Sequence, residues 1–172
     1  MTVDHIKYLS YEIMKGVLYM HSKGIIHRDL KPLNILVNEN WDVKISDFGQ
    51  SNVQVGKINA DYNLTKYVTT RYYRAPELWL QYDSNYDSSV DMWSIGTIIA
   101  EFFTKKVFVK AGTSEDYLDF LITMLGMPPS HIQDQIKHPK YLAYMKERKN
   151  EIQRKPWKEL IPNAPEQAID LM

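Results

Sequence analysis

Two short apolar triplets, Ile35-Leu36-Val37 and Val43-Lys44-Ile45, stand on either side of the polar run Asn38-Glu39-Asn40-Trp41-Asp42. β-branched and apolar residues around a polar turn predict a β-hairpin. A hairpin returns the chain to its starting point, so whatever precedes Ile35 must meet whatever follows Ile45. Both flanks carry chemistry: residues 27–34 read HRDLKPLN, and Asp47-Phe48-Gly49 follows the second triplet. Asp29, Lys31, Asn34 and Asp47 are therefore predicted to converge.

Helices are predicted around this hairpin. Ile6, Leu9, Ile13, Val17 and Met20 recur every three or four residues between Asp4 and roughly His21, an amphipathic helix with Asp4 as its N-cap. Gly24 ends it, and GIIH follows as a strand-like run. From Ser89 to Thr104, Val90, Met92, Trp93, Ile95, Ile98, Ile99, Phe102 and Phe103 lie nearly all round the axis, which predicts a buried central helix. Ser114 to Leu125 reads as a further helix, with Ser114 as N-cap, Glu115 and Asp116 in the first turn, and Gly126 then Pro128-Pro129 beyond its end. Residues 49–70 show no period and are predicted to form one long loop, a length that in compact domains signals function or disorder. Residues 130–165 are polar, with a basic helical patch near Lys146 to Lys149. The order predicts an α+β, mainly α, domain with a minor antiparallel element.

Composition narrows the function classes. At 172 residues, 44% hydrophobic and 24% charged, the chain is about one globular domain. Basic and acidic residues balance at 21 each, so no general field draws it to nucleic acid or anionic membrane, and any phosphate chemistry must come from local groups. The absence of cysteine excludes disulfides, thiolate zinc sites and a Cys nucleophile, and fits a reducing compartment. Asp4, Lys7, Glu12 and Lys15 argue against a signal peptide, and the apolar stretch Ile95–Phe103 is too short to span a bilayer. A cytoplasmic or nuclear protein is expected, with neither nucleic acid nor membrane as partner.

Two oxygen ligands beside a third carboxylate suit Mg²⁺, which takes few protein oxygens and shares the rest with substrate phosphates. The remaining Asp can then accept a hydroxyl proton, and Lys31 offers a fixed positive charge to a transferring phosphoryl group. Single Asp and Asn residues in turns are usually plain loop residues. Here, however, H-R-D-L-K-P-x-N, D-F-G and Ala75-Pro76-Glu77 occur in order, the motif set of protein kinases.

The chain thus resembles a protein kinase, and further detail resembles the mitogen-activated protein kinases. Residues 47–77 look like their activation segment, with Thr65-Lys66-Tyr67 matching the Thr-x-Tyr lip and VTTRYYRAPEL following. VDMWSIG at 90–96 resembles the family's buried anchoring helix, and PWKELIPNAPEQAIDLM its closing segment. The resemblance implies that Asp29 is the catalytic base, that Lys31 contacts the γ-phosphate of ATP, and that Asn34 and Asp47 hold Mg²⁺. It implies that Thr70 bridges Asp29 and Lys31, and that Leu36, next to which Ser46 lies, floors the adenine site. Arg28 would read phosphorylated Thr65, and Arg71 and Arg74 phosphorylated Tyr67, by charge-assisted hydrogen bonds. His27, Phe48, Gly49 and Glu77 would be structural members of the motifs, and Asp91 a buried acid anchoring the catalytic loop. Substrates would be protein Ser/Thr residues followed by Pro, an inference from Thr70-Arg71-Tyr72-Tyr73-Arg74. Implied partners are an upstream dual-specificity kinase and docking-motif peptides, the latter on the first helix with Asp4, His5 and Tyr8.

Departures from the family pattern are specific. Asn52 stands where the family has an Arg that helps bind the phosphothreonine, which predicts a weaker hold on that phosphate. Lys66, Gln50 and Leu33 are unusual choices. No G-x-G-x-x-G occurs, and Val107-Phe108-Val109-Lys110, which imitates the V-A-I-K signature, follows DFG and reads as a connecting loop. The sequence also holds no segment matching the later helix whose Arg pairs with the APE Glu, so Glu77 is expected to lose a partner at a cost of about 3–5 kcal/mol. The expectation is a partial kinase domain over residues 1–172, a large lobe without its small lobe and cut at both ends, with little activity by itself. The alternative is a non-catalytic module of the same lobe that binds docking peptides. A small-molecule phosphotransferase shares the Asp, Asn, Asp pattern but not Lys31, APE or the TKY lip, and a metal-dependent nuclease would need a basic surface.

Overall fold

The computed structural model describes residues 1–53, 71–79, 86–133, 136, 139–148 and 151–172. The first helix, α1 (Val3–Ser22), starts at Thr2, whose hydroxyl accepts from the His5 amide while the His5 ring accepts from the Thr2 amide. This reciprocal box fixes the start two residues before the predicted cap. Asp4 lies instead in the first turn, where its charge favours the positive end of the helix. Ile6, Leu9, Ile13, Val17 and Met20 form the buried stripe, as the spacing predicts.

Next come β1 (Ile25–Ile26), a 3-10 turn at Pro32–Asn34, then β2 (Ile35–Val37) and β3 (Val43–Ile45). The predicted hairpin is present, with Ile35 opposite Ile45 and Val37 opposite Val43. Asn38 organises its turn, accepting from the Asn40 and Asp42 amides. A 3-10 turn at Phe48–Gln50 and β4 (Asn52–Val53) follow, and β4 pairs antiparallel with β1. The start of the expected long loop is therefore ordered. A two-residue strand has no period to betray it, and its partner is remote in sequence. The lip at Thr65 and Tyr67, and Thr70, lie outside the described residues.

The remaining helices are α2 (Pro76–Trp79), α3 (Ser89–Thr104), α4 (Ser114–Leu125), α5 (Ser130–Gln133), α6 (Pro139–Arg148), α7 (Trp157–Leu160) and α8 (Glu166–Leu171). Helix α3 is the central rod: Val90, Ile95, Ile98, Ile99 and Phe103 are buried, although Met92 is half exposed. Its Ile95, Ile98 and Ile99 join Ile13, Val17 and Met20 of α1 in one core cluster. Each such side chain contributes roughly 1.5–3 kcal/mol on leaving water. The hairpin is drawn onto α1 at Gly16, where an added Cβ would stand 3.1 Å from Ile45 Cδ1.

A second cluster gathers Trp79, Val109, Tyr117, Leu118, Ile122 and Met145, with Trp79 stacked on Tyr117 at 4.5 Å. Helix α4 begins one residue earlier than predicted, because extended Thr113 rather than Ser114 accepts from the Asp116 amide. Gly126 ends it at φ 87, a conformation that suits glycine. In α6, Arg148 pairs with Asp119 and Glu151, so that part of the basic patch is neutralised. Among the described residues the architecture is mainly helical with two small antiparallel sheets, in keeping with the α+β reading. Among the described residues, no helix is long and apolar enough to cross a membrane.

Candidate active site

The site is assembled where the loop before the hairpin meets the residues after it. Ser46 donates to the Asn34 carbonyl through both its amide, at 2.9 Å, and its hydroxyl, at 3.1 Å. That double clasp holds Ser46, the residue before Asp47, against the end of the loop. Within the loop, Lys31 Nζ lies 2.7 Å from Asp29 Oδ2, and Asn34 Nδ2 donates to the Asp29 carbonyl at 2.9 Å. Asp29, Lys31 and Asn34 are all buried. Buried charges persist only when paired and hydrogen-bonded, and this pair is both.

The carboxylate of Asp29 is used asymmetrically. Oδ2 carries the Lys31 ammonium and a long contact of 3.5 Å from Asn34. Among the described residues nothing donates to Oδ1, which leaves one oxygen as a proton acceptor. Asn34 spends its amide N–H on Asp29, so its side-chain oxygen faces away from that bond. Asp47 sits in the left-handed region at φ 63 and, among the described residues, accepts a single long bond of 3.4 Å from the Gly49 amide. An amide oxygen and a lightly used carboxylate are the donor set a hard divalent cation takes when phosphates supply its other ligands. These residues therefore fit Mg²⁺. Among the described residues no group of three His, Cys, Asp or Glu side chains could hold a metal unaided.

Beneath the loop lies Asp91 of α3, with no exposure to solvent. Its Oδ1 accepts from the Arg28 amide at 2.8 Å, and its Oδ2 from the His27 amide at 2.8 Å and from His21 Nε2 at 2.8 Å. Arg28 needs this support, since its φ of 67 is uncommon for a residue with a side chain. His27 is fully buried: its Nε2 donates to the Ser46 carbonyl at 3.0 Å while Nδ1 accepts from the Asp29 amide at 3.3 Å. One neutral tautomer, with hydrogen on Nε2, satisfies both bonds. Phe48 packs against the His27 ring at 5.1 Å and is otherwise half exposed. Leu36, the expected adenine floor, is also half exposed and thus free to cover an apolar ring. A Cβ at Gly49 would lie 3.2 Å from Asp47 Oδ1, so glycine keeps that turn tight.

Of the arginines, Arg28 donates through Nε to the Gln50 carbonyl and through Nη1 to Tyr86 Oη at 2.6 Å. Arg74 reaches the Gln50 side-chain oxygen at 3.4 Å, so Gln50 stands between Arg28 and Arg74. Arg71 opens the 3-10 turn Arg71–Tyr73. That turn is tied to the core by Ser94 donating to the Tyr73 carbonyl at 2.7 Å and Tyr73 donating to Glu101 at 2.6 Å. Burial, then the Glu101 carboxylate, pushes the Tyr73 phenol far above its ordinary range. Tyr117 Oη donates to the Arg74 carbonyl at 2.9 Å. Glu77 is half buried at the edge of an apolar cavity of about 410 Å³, among Leu118, Ile122 and Met145. Loss of water, and secondarily the Asp87 carboxylate, raise its carboxyl above the usual range. No cationic side chain pairs with it among the described residues.

His21, Tyr86, Glu101 and Tyr117 stand in no motif and Ser94 enters only as part of VDMWSIG, so none was legible as a site residue. Their partners are 21 to 70 positions away in sequence. Periodicity placed Ser94 and Glu101 on the central helix, but no local pattern could pair them with Tyr73.

Comparison with known proteins agrees with this geometry. The family profile described as "Protein kinase domain" matches residues 1–172. The chain is 42% identical over 167 residues to "Mitogen-activated protein kinase HOG1" of Cryphonectria parasitica, covering 97% of this chain and 44% of that protein. Identity and coverage are the same with the Beauveria bassiana protein of that name, and the Trichoderma harzianum protein is 41% identical with 45% of its length covered. The chain spans less than half the length of the curated relatives it matches. With its motifs in order on a clasped loop and a profile match along its whole length, the chain belongs to the protein kinase family, alongside the mitogen-activated protein kinases.

Proposed function

We propose that the protein carrying this chain is a Ser/Thr kinase of the mitogen-activated type, transferring the γ-phosphoryl group of ATP to protein hydroxyls. The observation that carries this reading is the asymmetric Asp29 carboxylate, with Oδ2 held by Lys31 and Oδ1 open. A substrate hydroxyl donates to Oδ1 as its oxygen attacks the γ-phosphorus. The bond from phosphorus to the β–γ bridging oxygen breaks, ADP leaves, and Asp29 takes the proton. Lys31 spreads its charge between the carboxylate and the transferring group; the family resemblance would give Thr70 the role of bridging the two residues. Asn34 and Asp47 hold Mg²⁺, which neutralises phosphate charge when bound. Leu36 covers the adenine face, with Ser46 next to it, and Asp91 fixes the loop from below. Positioning of this kind supplies most of the catalysis in phosphoryl transfer.

Regulation follows from the arginines. Phosphorylation of Thr65 and Tyr67 by an upstream dual-specificity kinase would place phosphates for Arg28, and for Arg71 and Arg74, respectively. Docking peptides would meet the outer face of α1, where His5 stacks on Trp41 at 4.5 Å and Tyr8 meets the same indole edge-on. The protein acts in the cytoplasm or nucleus on Ser/Thr followed by Pro. By themselves these 172 residues transfer phosphate poorly, since they contain no glycine-rich phosphate loop.

The test is transfer of labelled phosphate from Mg·ATP by the native protein to peptide pairs that differ only in having Pro or Ala after the acceptor. Phosphoserine or phosphothreonine ahead of Pro is expected. Phosphotyrosine alone, or a phosphorylated small molecule in place of peptide, would sink the reading.

A further inference from the structure

Two consecutive backbone carbonyls beside the 3-10 turn Arg71–Tyr73 are each taken by a side-chain hydroxyl, and the two hydroxyls come from different helices. The Tyr73 carbonyl accepts from Ser94 of α3 at 2.7 Å, and the Arg74 carbonyl accepts from Tyr117 of α4 at 2.9 Å. The next carbonyl, that of Ala75, accepts the Leu78 and Trp79 amides and so begins α2. We propose that Tyr117 is a positioning residue for the substrate-facing segment around Arg74, holding that segment onto α4 through its hydroxyl.

The ring and the hydroxyl of Tyr117 do separate work. The ring is fully buried and stacks on Trp79 at 4.5 Å with 21° between the planes, which fixes α2 against α4. Stacked rings tolerate small slides, whereas a hydrogen bond holds its two atoms within a few tenths of an ångström. The hydroxyl therefore sets where the Arg74 backbone stands relative to α4. A carbonyl has no hydrogen to give, so the phenol is the donor. Burial, and then the Glu77 carboxylate, hold that phenol well above its ordinary range, so it keeps its hydrogen at any working pH. At this depth an unpaired hydroxyl or carbonyl would be costly, and each satisfies the other. The segment also spans two cores: Tyr73 belongs to the cluster around α1 and α3, and Trp79 to the cluster around Tyr117 and Leu118. Ser94 ties it to the first and Tyr117 to the second. Arg74 is thus held by its backbone to α4 while its guanidinium reaches the Gln50 side-chain oxygen at 3.4 Å, next to Gly49. Tyr117 touches no reacting group and acts only through this backbone.

The meaning for substrate rests on the proposed function, in which the preference for Pro is read from this same stretch. The test is Tyr117→Phe in the native protein, which removes the hydroxyl and keeps the ring on Trp79. KM for a peptide whose acceptor is followed by Pro is expected to rise about three- to tenfold, the worth of one neutral hydrogen bond, while kcat and KM for ATP hold. Amide hydrogen exchange at Leu78 and Trp79 should quicken by a similar factor, with Ile98 and Ile99 of α3 near their wild-type rates. A role confined to stability would quicken both pairs alike and leave the peptide KM unmoved, and that result would overturn the proposal. So would a KM for ATP that rises in step with the peptide KM, or wild-type exchange at Leu78 and Trp79. NMR of the Tyr117 hydroxyl proton in the unmutated protein gives a check that needs no variant. Slow exchange of that proton with water is expected, and a proton averaged with water contradicts the bond. If the unmutated protein transfers no phosphate to peptide, the functional reading falls, and exchange at Leu78 and Trp79 still decides whether Tyr117 holds this segment.

Discussion

Asp91 and Glu77 are both carboxylates drawn out of water, and their surroundings differ in nearly every respect. Asp91, on the long central helix, is fully buried and receives three N–H donors at 2.8 Å. Glu77, on the single turn of α2, faces an apolar cavity of about 410 Å³ with no cationic partner among the described residues. Burial alone therefore does not say whether a charge stabilises a fold. One carboxylate organises the loop that carries the reactive groups, while the other is pushed toward its neutral form by loss of water and by Asp87. Asp91 has its acceptor positions filled, whereas the charge of Glu77 is not balanced by any described neighbour.

The contrast can be broken most sharply at Asp91. Asp91→Ala leaves two buried amides and an imidazole N–H without an acceptor, which is expected to cost about 3–5 kcal/mol. At this size that lowers Tm by roughly 10 °C, readable by calorimetry, and a Tm within about 2 °C of wild type would remove Asp91 as an anchor. Smaller is the effect of Tyr86→Phe, which deletes the acceptor of Arg28 Nη1 and should cost about 0.5–1.5 kcal/mol. Denaturant midpoints with an unchanged m-value would measure it. Exchange at the Arg28 amide should change little, since Asp91 still holds it.

The smallest change, and the one of opposite sign, is expected at Glu77. A carboxyl whose pKa is raised in the folded state keeps its proton to higher pH than in the unfolded chain. Stability is then full below the unfolded value and falls as pH rises through the folded one. Glu77→Gln should therefore raise Tm at pH 7 by up to about 2–4 °C and leave Tm at pH 4 unchanged. A lower Tm at pH 7 would mean that the carboxylate has a partner after all, and the contrast with Asp91 would disappear.

Much of this arrangement could be read before the structure, wherever the signal was local. The stripe Ile6, Leu9, Ile13, Val17, Met20 placed α1, and the triplets around Asn38–Asp42 placed the hairpin with Asn34 and Ser46 at its closing ends. Cap assignment slipped at Asp4 and Ser114, since in each case a threonine just upstream reaches the same turn. Pairings across the fold were not legible. The contact of β1 with β4, and those of His21 with Asp91 and Arg28 with Tyr86, join positions that no periodicity relates. Asp29, Lys31 and Asn34 were named from the resemblance of HRDLKPLN to the kinase catalytic loop, whereas the Oδ1 of Asp29, without a donor among the described residues, could be found only in the folded structure.

The account turns on that oxygen. The most direct measurement is the rate of phosphoryl transfer from Mg·ATP to a protein hydroxyl by the native protein and by its Asp29→Asn variant. Asparagine keeps the shape of the side chain and removes its capacity as a base. The account predicts a fall in kcat of about 10²–10⁴-fold with KM for ATP close to wild type, and a lower Tm because the buried Lys31 ammonium loses its carboxylate partner. Transfer by Asp29→Asn at the wild-type rate would contradict it, and the base would have to be sought elsewhere.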